Sequence, residues 1–217
     1  MKRLGLGVGI VVLCVVGISM TGAAETPKVE SPNLDDAALI VIDVQAFYFP
    51  EGMVPLSGPE AAASQTARVI AAFRSAERPV IHVQHLPKDV DTPDPTGIQE
   101  QYRIYPEVLP KEGEMVIGKH HANSFRDTDL LTILRKQGIK KLVVTGMQTH
   151  MCVEAAVRAA ADYGFEVTVI HDACATRDLE FDGTIVPADQ VHAGALAAMN
   201  GNYAKVVSTE EFCGEAK

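Results

Sequence analysis

The stretch Lys140–Arg158, KKLVVTGMQTHMCVEAAVR, decides the architecture. Its first half carries Leu142–Thr145, a short β-branched run of the kind that makes a strand buried in a parallel sheet. Its second half has apolar faces and neither Gly nor Pro, which predicts a helix, and Cys152 falls in the turn between the two. A cysteine placed where a parallel strand hands over to a helix lies at the carboxyl edge of the sheet, where doubly wound proteins bind ligands. The first helical N–H groups and the positive end of the helix dipole favour a thiolate there and can hold a developing oxyanion. Cys152 is therefore a candidate nucleophile. The competing reading is a small buried hydrophobe, and the rest of the chain has to decide between them.

The 217 residues suffice for one α/β domain with a sizeable core. Ahead of that domain, Lys2 and Arg3 precede an apolar run from Leu4 to Met20, and Gly22, Ala23 and Ala24 supply small residues for cleavage before Glu25. This pattern predicts a signal peptide over 1–24 and an exported protein, periplasmic or secreted. A retained anchor is the alternative, favoured less by the small-residue exit; a lipoprotein through Cys14 is weaker still, because Leu13 is bulky for such a processing site. Removing residues 1–24 takes two cations and no acids, moving the formal charge from −9 to −11. An acidic surface argues against nucleic acid as a partner and against docking on anionic lipid once the signal is gone. Three cysteines then remain, Cys152, Cys174 and Cys213, an odd number for an oxidising compartment. Cys174 and Cys213 can be bridged with Cys152 left free, a pairing that the sequence leaves open.

Residues 25–36, with two prolines and few apolar groups, read as a mobile leader to a domain spanning 37–217. Ala37–Val44 is a continuous apolar strand covered on both faces, with Asp43 at its tip as either a satisfied structural acid or a reactive one. Gln45–Ser57 reads as an irregular aromatic loop, Pro59–Ala76 as a helix, and Pro79–Gln84 as a second strand with His85 at its end. A proline-dotted excursion follows from Leu86 to Gly113, long enough to suggest function. Met115–Gly118 is a third strand leading to Lys119, and Asp127 is placed to cap a helix running to about Gln137. After the central strand and its helix come a fifth strand over Glu166–His171, a turn over Asp172–Asp178, a helix over Pro187–Met199 and a last strand over Ala204–Val207. Strands alternating with helices predict a parallel sheet covered on both sides. Asp43, Lys119 and Cys152 all fall at strand carboxyl ends and so converge on one edge. There Asp43 can take the thiol proton, provided that Lys119 lies close to both; a buried trio of acid, ammonium and sulfur is balanced where any one of them alone is costly.

Four motifs then stand in order: DVQAF at Asp43–Phe47, Lys119 followed by NSF at Asn123–Phe125, TGMQTHMCV at Thr145–Val153, and HDACATRD at His171–Asp178. In sequence and spacing they resemble the isochorismatase-like cysteine hydrolases, over about residues 37–210. The resemblance implies a single Rossmann-like α/β/α domain with a six-stranded, mainly parallel sheet, no cofactor, a small-molecule substrate and a homo-oligomer. It implies Asp43 as general base, Lys119 as electrostatic partner and Cys152 as nucleophile. It also implies a cis peptide between Met147 and Gln148, which presents the N–H groups of Gln148 and Cys152 as an oxyanion hole. The implied reaction is hydrolysis of a C–N bond in a small amide, ureide or carbamoyl compound through a Cys152 thioester, since family members that cleave the vinyl ether of isochorismate do not need the cysteine.

Nicotinamidases of this family hold a metal with an Asp and His residues after the second strand. Here that region is His82–Asp89, HVQHLPKD, and a strand sends His82 and His85 to opposite faces, so no metal is expected. Phe47, Tyr48, Phe125 and Gln148 are expected to line the pocket; His150 either touches substrate or is a satisfied structural histidine. Asp172 is expected to cap the turn after it, and Arg177 to be paired at the surface or at a subunit contact. Vinyl-ether hydrolysis and a non-catalytic exported binding protein are the alternatives. The lack of G-x-G-x-x-G after the first strand argues against a nucleotide-dependent oxidoreductase.

Overall fold

The structure, a computed structural model, describes residues 33–97 and 99–214. The signal segment expected over 1–24 and most of the leader lie outside the described residues. The last leader residues are tied to the domain: Leu34 is buried, and the Asp36 carbonyl accepts from the N–H groups of Lys140 and Lys141.

Among the described residues eight strands and five α-helices follow in chain order: β1 Ala37–Ile42, α1 Pro59–Ser75, β2 Val80–His85, β3 Met115–Lys119, α2 Leu130–Lys136, β4 Lys141–Met147, α3 Glu154–Asp162, β5 Glu166–Ala175, β6 Leu179–Phe181, β7 Thr184–Val186, α4 Ala188–Met199, β8 Lys205–Val207 and α5 Thr209–Cys213. Six strands form one sheet in the order β3-β2-β1-β4-β5-β8, and every pairing in it is parallel. Every residue of β1 is buried, and the period-two alternation of a strand explains how. Ala38, Ile40 and Ile42 join the core beneath α2, α3 and α4. Leu39 and Val41 join the core beneath α1, where Val69, Ile70 and Phe73 pack. A strand covered on both faces has no polar side to show, which is why AALIVI runs unbroken. Among the described residues no helix is long and apolar enough to cross a membrane.

The elements differ from the sequence reading in four places. β5 continues to Ala175, taking in residues expected as a turn, because its register against β4 slips. Val169 opposes Val144, but Cys174 is the residue opposite Gly146. Asp172 consequently lies inside β5, and its carboxylate accepts from both the N–H and the hydroxyl of Thr209, holding the start of α5 rather than a following turn. The antiparallel hairpin β6–β7 is an addition. Its two turn residues, Asp182 and Gly183, both have positive φ, 50° and 73°, the primed turn that Asp-Gly favours. α5 is also additional, and is opened by a capping box in which Ser208 and Glu211 satisfy each other's backbone N–H. Finally, Asp127 does not cap α2. Its φ is +57°, its carboxylate faces His121 at 3.3 Å, and the Thr128 hydroxyl accepts from the Leu130 N–H instead.

Candidate active site

β1 is the strand at which the order reverses, with β2 and β3 to one side and β4, β5 and β8 to the other. The crevice beyond the tips of β1 and β4 is therefore the topological switch point, where an open parallel sheet binds ligands. Asp43 stands at the tip of β1 with φ +50°, a left-handed conformation uncommon outside glycine. Lys119, the last residue of β3, reaches over the end of β2 to meet it. Its ammonium donates to Asp43 Oδ2 at 2.6 Å, to the His121 carbonyl at 3.0 Å and to Cys152 Sγ at 3.3 Å. An ammonium has three N–H bonds, so these three acceptors use all of them. Both side chains of the ion pair are fully buried, at 0% exposure. The other carboxylate oxygen, Asp43 Oδ1, is buried without a hydrogen-bond partner among the described residues.

Cys152 is brought over this pair by the end of β4. At Gly146, φ is +128°, and a Cβ there would overlap the carbonyl of Ile42, so only glycine lets β4 approach β1 so closely. The Met147–Gln148 peptide is cis, and the chain then makes one π-helical turn, Thr149–Val153, which runs directly into α3. Cys152 thus sits within a helical turn, not in a loop ahead of it. That turn is held at both flanks: the Thr149 hydroxyl pairs with His192 Nδ1 of α4 at 2.9 Å, and His150 Nδ1 with the Thr176 hydroxyl at 2.5 Å. The Gln148 N–H makes no hydrogen bond to the backbone of the described residues.

The electrostatics make the resting sulfur a thiol. Burial pushes Cys152 up, the Asp43 carboxylate pushes it further, and Lys119 only partly offsets them, so that it titrates at about 12. A thiolate is therefore not the resting form expected from the helix terminus: desolvation and the nearby carboxylate outweigh the ammonium. Burial lowers Lys119, but Asp43 and Cys152 outweigh burial and hold it above its ordinary value. At rest the site contains one carboxylate, one ammonium and one neutral thiol, with no net charge to desolvate.

Above the sulfur lies a cavity of about 250 Å³, walled by Phe47, Tyr48, Tyr102 and Gln148. Met53 and Met151, both exposed, stand at its mouth. His85 also lines it, and burial lowers that imidazole below its usual value, so it is neutral at pH 7. Two buried glutamines fasten the loops that build the walls. Gln45 donates to the carbonyls of His85 and Tyr102 and accepts from the His85 N–H. Gln84 donates to the carbonyls of Asp94 and Tyr102. Phe49 and Tyr105, one from each loop, stack with centroids 3.5 Å apart.

Of the residues singled out in the sequence, the structure brings Asp43, Lys119 and Cys152 into contact and sets Phe47, Tyr48 and Gln148 on the cavity wall. It does not bring Phe125 there. That ring is buried beneath α3, edge-on to Tyr163 at 5.3 Å and stacked on Phe165 at 6.4 Å, because its position after β3 faces the helix layer. His150 is turned away from the cavity toward Thr176. Arg177 is half-buried; one guanidinium N–H donates to the Asp178 carbonyl at 3.4 Å, no carboxylate among the described residues pairs with it, and its Nε has no hydrogen-bond partner among them. His82 and His85 do point to opposite faces, His82 meeting Glu114 at 3.2 Å. Cys174 and Cys213 are both free thiols, so no bridge joins them. Met53 and Tyr102 were not foreseen, because loops carry no periodicity to read, nor was Met151, because the turn that carries it is a single π-helical one. His85 had a signal, since it ends β2 in register with Lys119.

Comparison with known proteins agrees with this geometry. The family model described as the isochorismatase domain matches residues 37–211. The isochorismatase family protein YddQ of Bacillus subtilis (strain 168) is 45% identical over 179 residues, covering 81% of this chain and 97% of its own. The secreted isochorismatase effector Isc1 of Verticillium dahliae is 36% identical over 184 residues, covering 83% and 92%. The crystal structure of an isochorismatase hydrolase from Oleispira antarctica superposes with a TM-score of 0.76 at 47% identity, covering 82% of this chain and 96% of that one. More distant relatives include a streptothricin hydrolase of Streptomyces noursei, 36% identical over 65% of this chain and 50% of its own, and the ureidoacrylate amidohydrolase RutB of Variovorax paradoxus, 27% identical over 68% and 71%. With the family model spanning nearly all of the described domain, the chain belongs to the isochorismatase family of hydrolases.

Proposed function

We propose that the protein is an exported cysteine amidohydrolase that cleaves the C–N bond of a small amide-type substrate. The observation that carries this reading is the position of the Lys119 ammonium, 2.6 Å from Asp43 and 3.3 Å from Cys152, which holds the carboxylate and the sulfur together around one cation. Asp43 Oδ1 accepts the thiol proton as Sγ bonds to the carbonyl carbon, so sulfur never has to exist as a free thiolate. The N–H groups of Gln148 and Cys152 hold the resulting oxyanion. Asp43 passes its proton to the nitrogen, the C–N bond breaks, and ammonia or an amine departs, leaving a thioester on Cys152. Water then gives a proton to Asp43 and adds to the thioester. Sulfur leaves with that proton, releasing the carboxylic acid and restoring the thiol. Lys119 stays positive throughout and balances whichever of its neighbours is negative.

The names of the streptothricin hydrolase and the ureidoacrylate amidohydrolase support the reaction class, and the residue pattern of 1–24, together with the secreted relative Isc1, supports export. That same relative's name favours a second reading, hydrolysis of an isochorismate-type ether. Measuring ammonia release over a panel of small amides, with Cys152→Ala as control, separates the two. Release by the native protein that is lost in the variant supports the amidohydrolase. Ether hydrolysis that survives in Cys152→Ala, with no ammonia from any amide, overturns it.

A further inference from the structure

We propose that this pocket takes uncharged primary amides with a compact apolar acyl group and rejects amides that carry a carboxylate. The proposal rests on the amidohydrolase reading and narrows it. Two observations point to it, one at each end of the cavity.

At the reactive end, two buried acceptors lack partners among the described residues: Asp43 Oδ1 and the side-chain Oε1 of Gln148, on residues 0% and 4% exposed. Buried acceptors are almost always satisfied, and leaving one bare is costly. Asp43 Oδ1 has two lone pairs, one for the thiol proton and one to spare, so a primary amide can give one N–H to each of these oxygens, where a tertiary amide has none to give. Gln148 therefore has two separate duties, its backbone N–H toward the oxyanion and its side chain toward the nitrogen.

At the other end, no Arg or Lys side chain among the described residues lines the cavity, whose walls are Phe47, Tyr102, Val54, Ala122 and the two methionines; the charge of Arg177 is felt at Tyr48 from behind that wall. The Lys119 ammonium below has no N–H left to offer, all three being engaged by Asp43, His121 and Cys152. His85 is held neutral by burial, and Tyr48 keeps its proton because burial and then Asp43 raise it. The Asp43 and Lys119 charges cancel against each other, so a second carboxylate would be desolvated against an apolar wall with no donor to receive it. A volume of about 250 Å³ lies at the small end for ligand pockets, which limits the acyl group to a few carbons.

Butyramide and the monoamide of succinic acid differ only in a methyl against a carboxylate at the far end, so they isolate the charge. The expected result is a kcat/KM for ammonia release from butyramide on the order of 100-fold or more above that for the succinic monoamide. N,N-dimethylbutyramide is expected to be inert. Equal or faster turnover of the succinic monoamide overturns the proposal. If neither amide releases ammonia, the amidohydrolase reading fails separately, and the charge preference is still decided by alkylation of Cys152. Iodoacetamide and iodoacetate, each scaled to its rate with glutathione and followed on the Cys152 peptide, differ by the same neutral-to-anionic change. Iodoacetamide is expected to react about tenfold faster or more on this scale; failure to outpace iodoacetate overturns the proposal.

Discussion

Replacing Asp43 by Asn keeps the shape of the side chain and removes its charge, and its effect on the thiol runs opposite to its effect on turnover. Lys119 Nζ is 2.6 Å from Asp43 Oδ2 and 3.3 Å from Cys152 Sγ. The sulfur and that oxygen are therefore no more than about 6 Å apart, and at an effective dielectric of about 20 two negative charges at that separation repel by about 3 kcal/mol. On a thiol this is worth about two pH units. In Asp43→Asn the repulsion is gone while the attraction of Lys119 remains, so Cys152 should titrate well below its native value of about 12. The assay is the rate at which iodoacetamide modifies the Cys152 peptide, followed from about pH 7 to about pH 11 and read separately from the Cys174 and Cys213 peptides. Near pH 8 the variant thiol should react roughly 100-fold faster than the native one, while amide hydrolysis falls by about 10²–10⁴ for want of a base. A variant sulfur no more reactive than the native one refutes the electrostatic account of the site. Native turnover in the variant refutes Asp43 as the base.

Gly146→Ala should destabilise the fold by more than about 1 kcal/mol in urea melts, because φ is +128° and the new methyl meets the Ile42 carbonyl. Gln45→Leu removes two hydrogen bonds to the backbone of His85 at the end of β2 and one to the Tyr102 carbonyl, which fastens the loop over 86–113. A loss of about 1–3 kcal/mol and faster proteolysis within that loop should follow. Glu114 is raised by burial, but Arg74 and the Lys111 N–H outweigh this and hold it down to about 2. A depressed carboxylate stabilises the fold above its unfolded pKa, and the contribution is lost as pH falls toward about 2. Melting temperature should therefore drop below about pH 4 more steeply in the native protein than in Glu114→Gln.

The layers of this fold were legible because they are written in periodicities. β1 and β4 announce themselves as unbroken apolar runs, and α1 by Val69, Ile70 and Phe73 on one stripe. The three residues that meet at the switch point were legible because strand ends are countable, and a parallel sheet must collect them on one edge. What escaped was structure set by backbone conformation or by contact at a distance. The slip between β4 and β5 falls at Gly146, where β4 also approaches Ile42, and nothing in HDACA itself says that it stays extended. Phe125 sits in a matching motif, but a motif does not say which face a ring takes; the helix layer claimed it through Tyr163 and Phe165. Two local signals were present and unused: Asp182–Gly183 between LEF and TIV for the hairpin, and Ser208 with Glu211 for the cap of α5.

The protonated resting state also bears on where such a protein can work. The export we propose would carry a free cysteine into an oxidising compartment, where an exposed thiolate is consumed by disulfide exchange. Both that exchange and the attack on an amide need electron density on sulfur, so a thiol permanently activated for one is activated for the other. Burial and Asp43 remove this conflict. With Cys152 at about 12, roughly one molecule in 10⁵ carries the thiolate at pH 7. The sulfur gains nucleophilic character only when an amide carbon is within bonding distance and Asp43 Oδ1 takes the proton in the same step. Lys119 makes that step electrically cheap, because its ammonium touches both partners and the negative charge moves from carboxylate to sulfur without leaving its reach. Selectivity in time thus comes from the same buried charges that give selectivity in place. A substitution that loosens either, such as Asp43→Asn, should yield a sulfur that reacts readily with oxidants and no longer with amides.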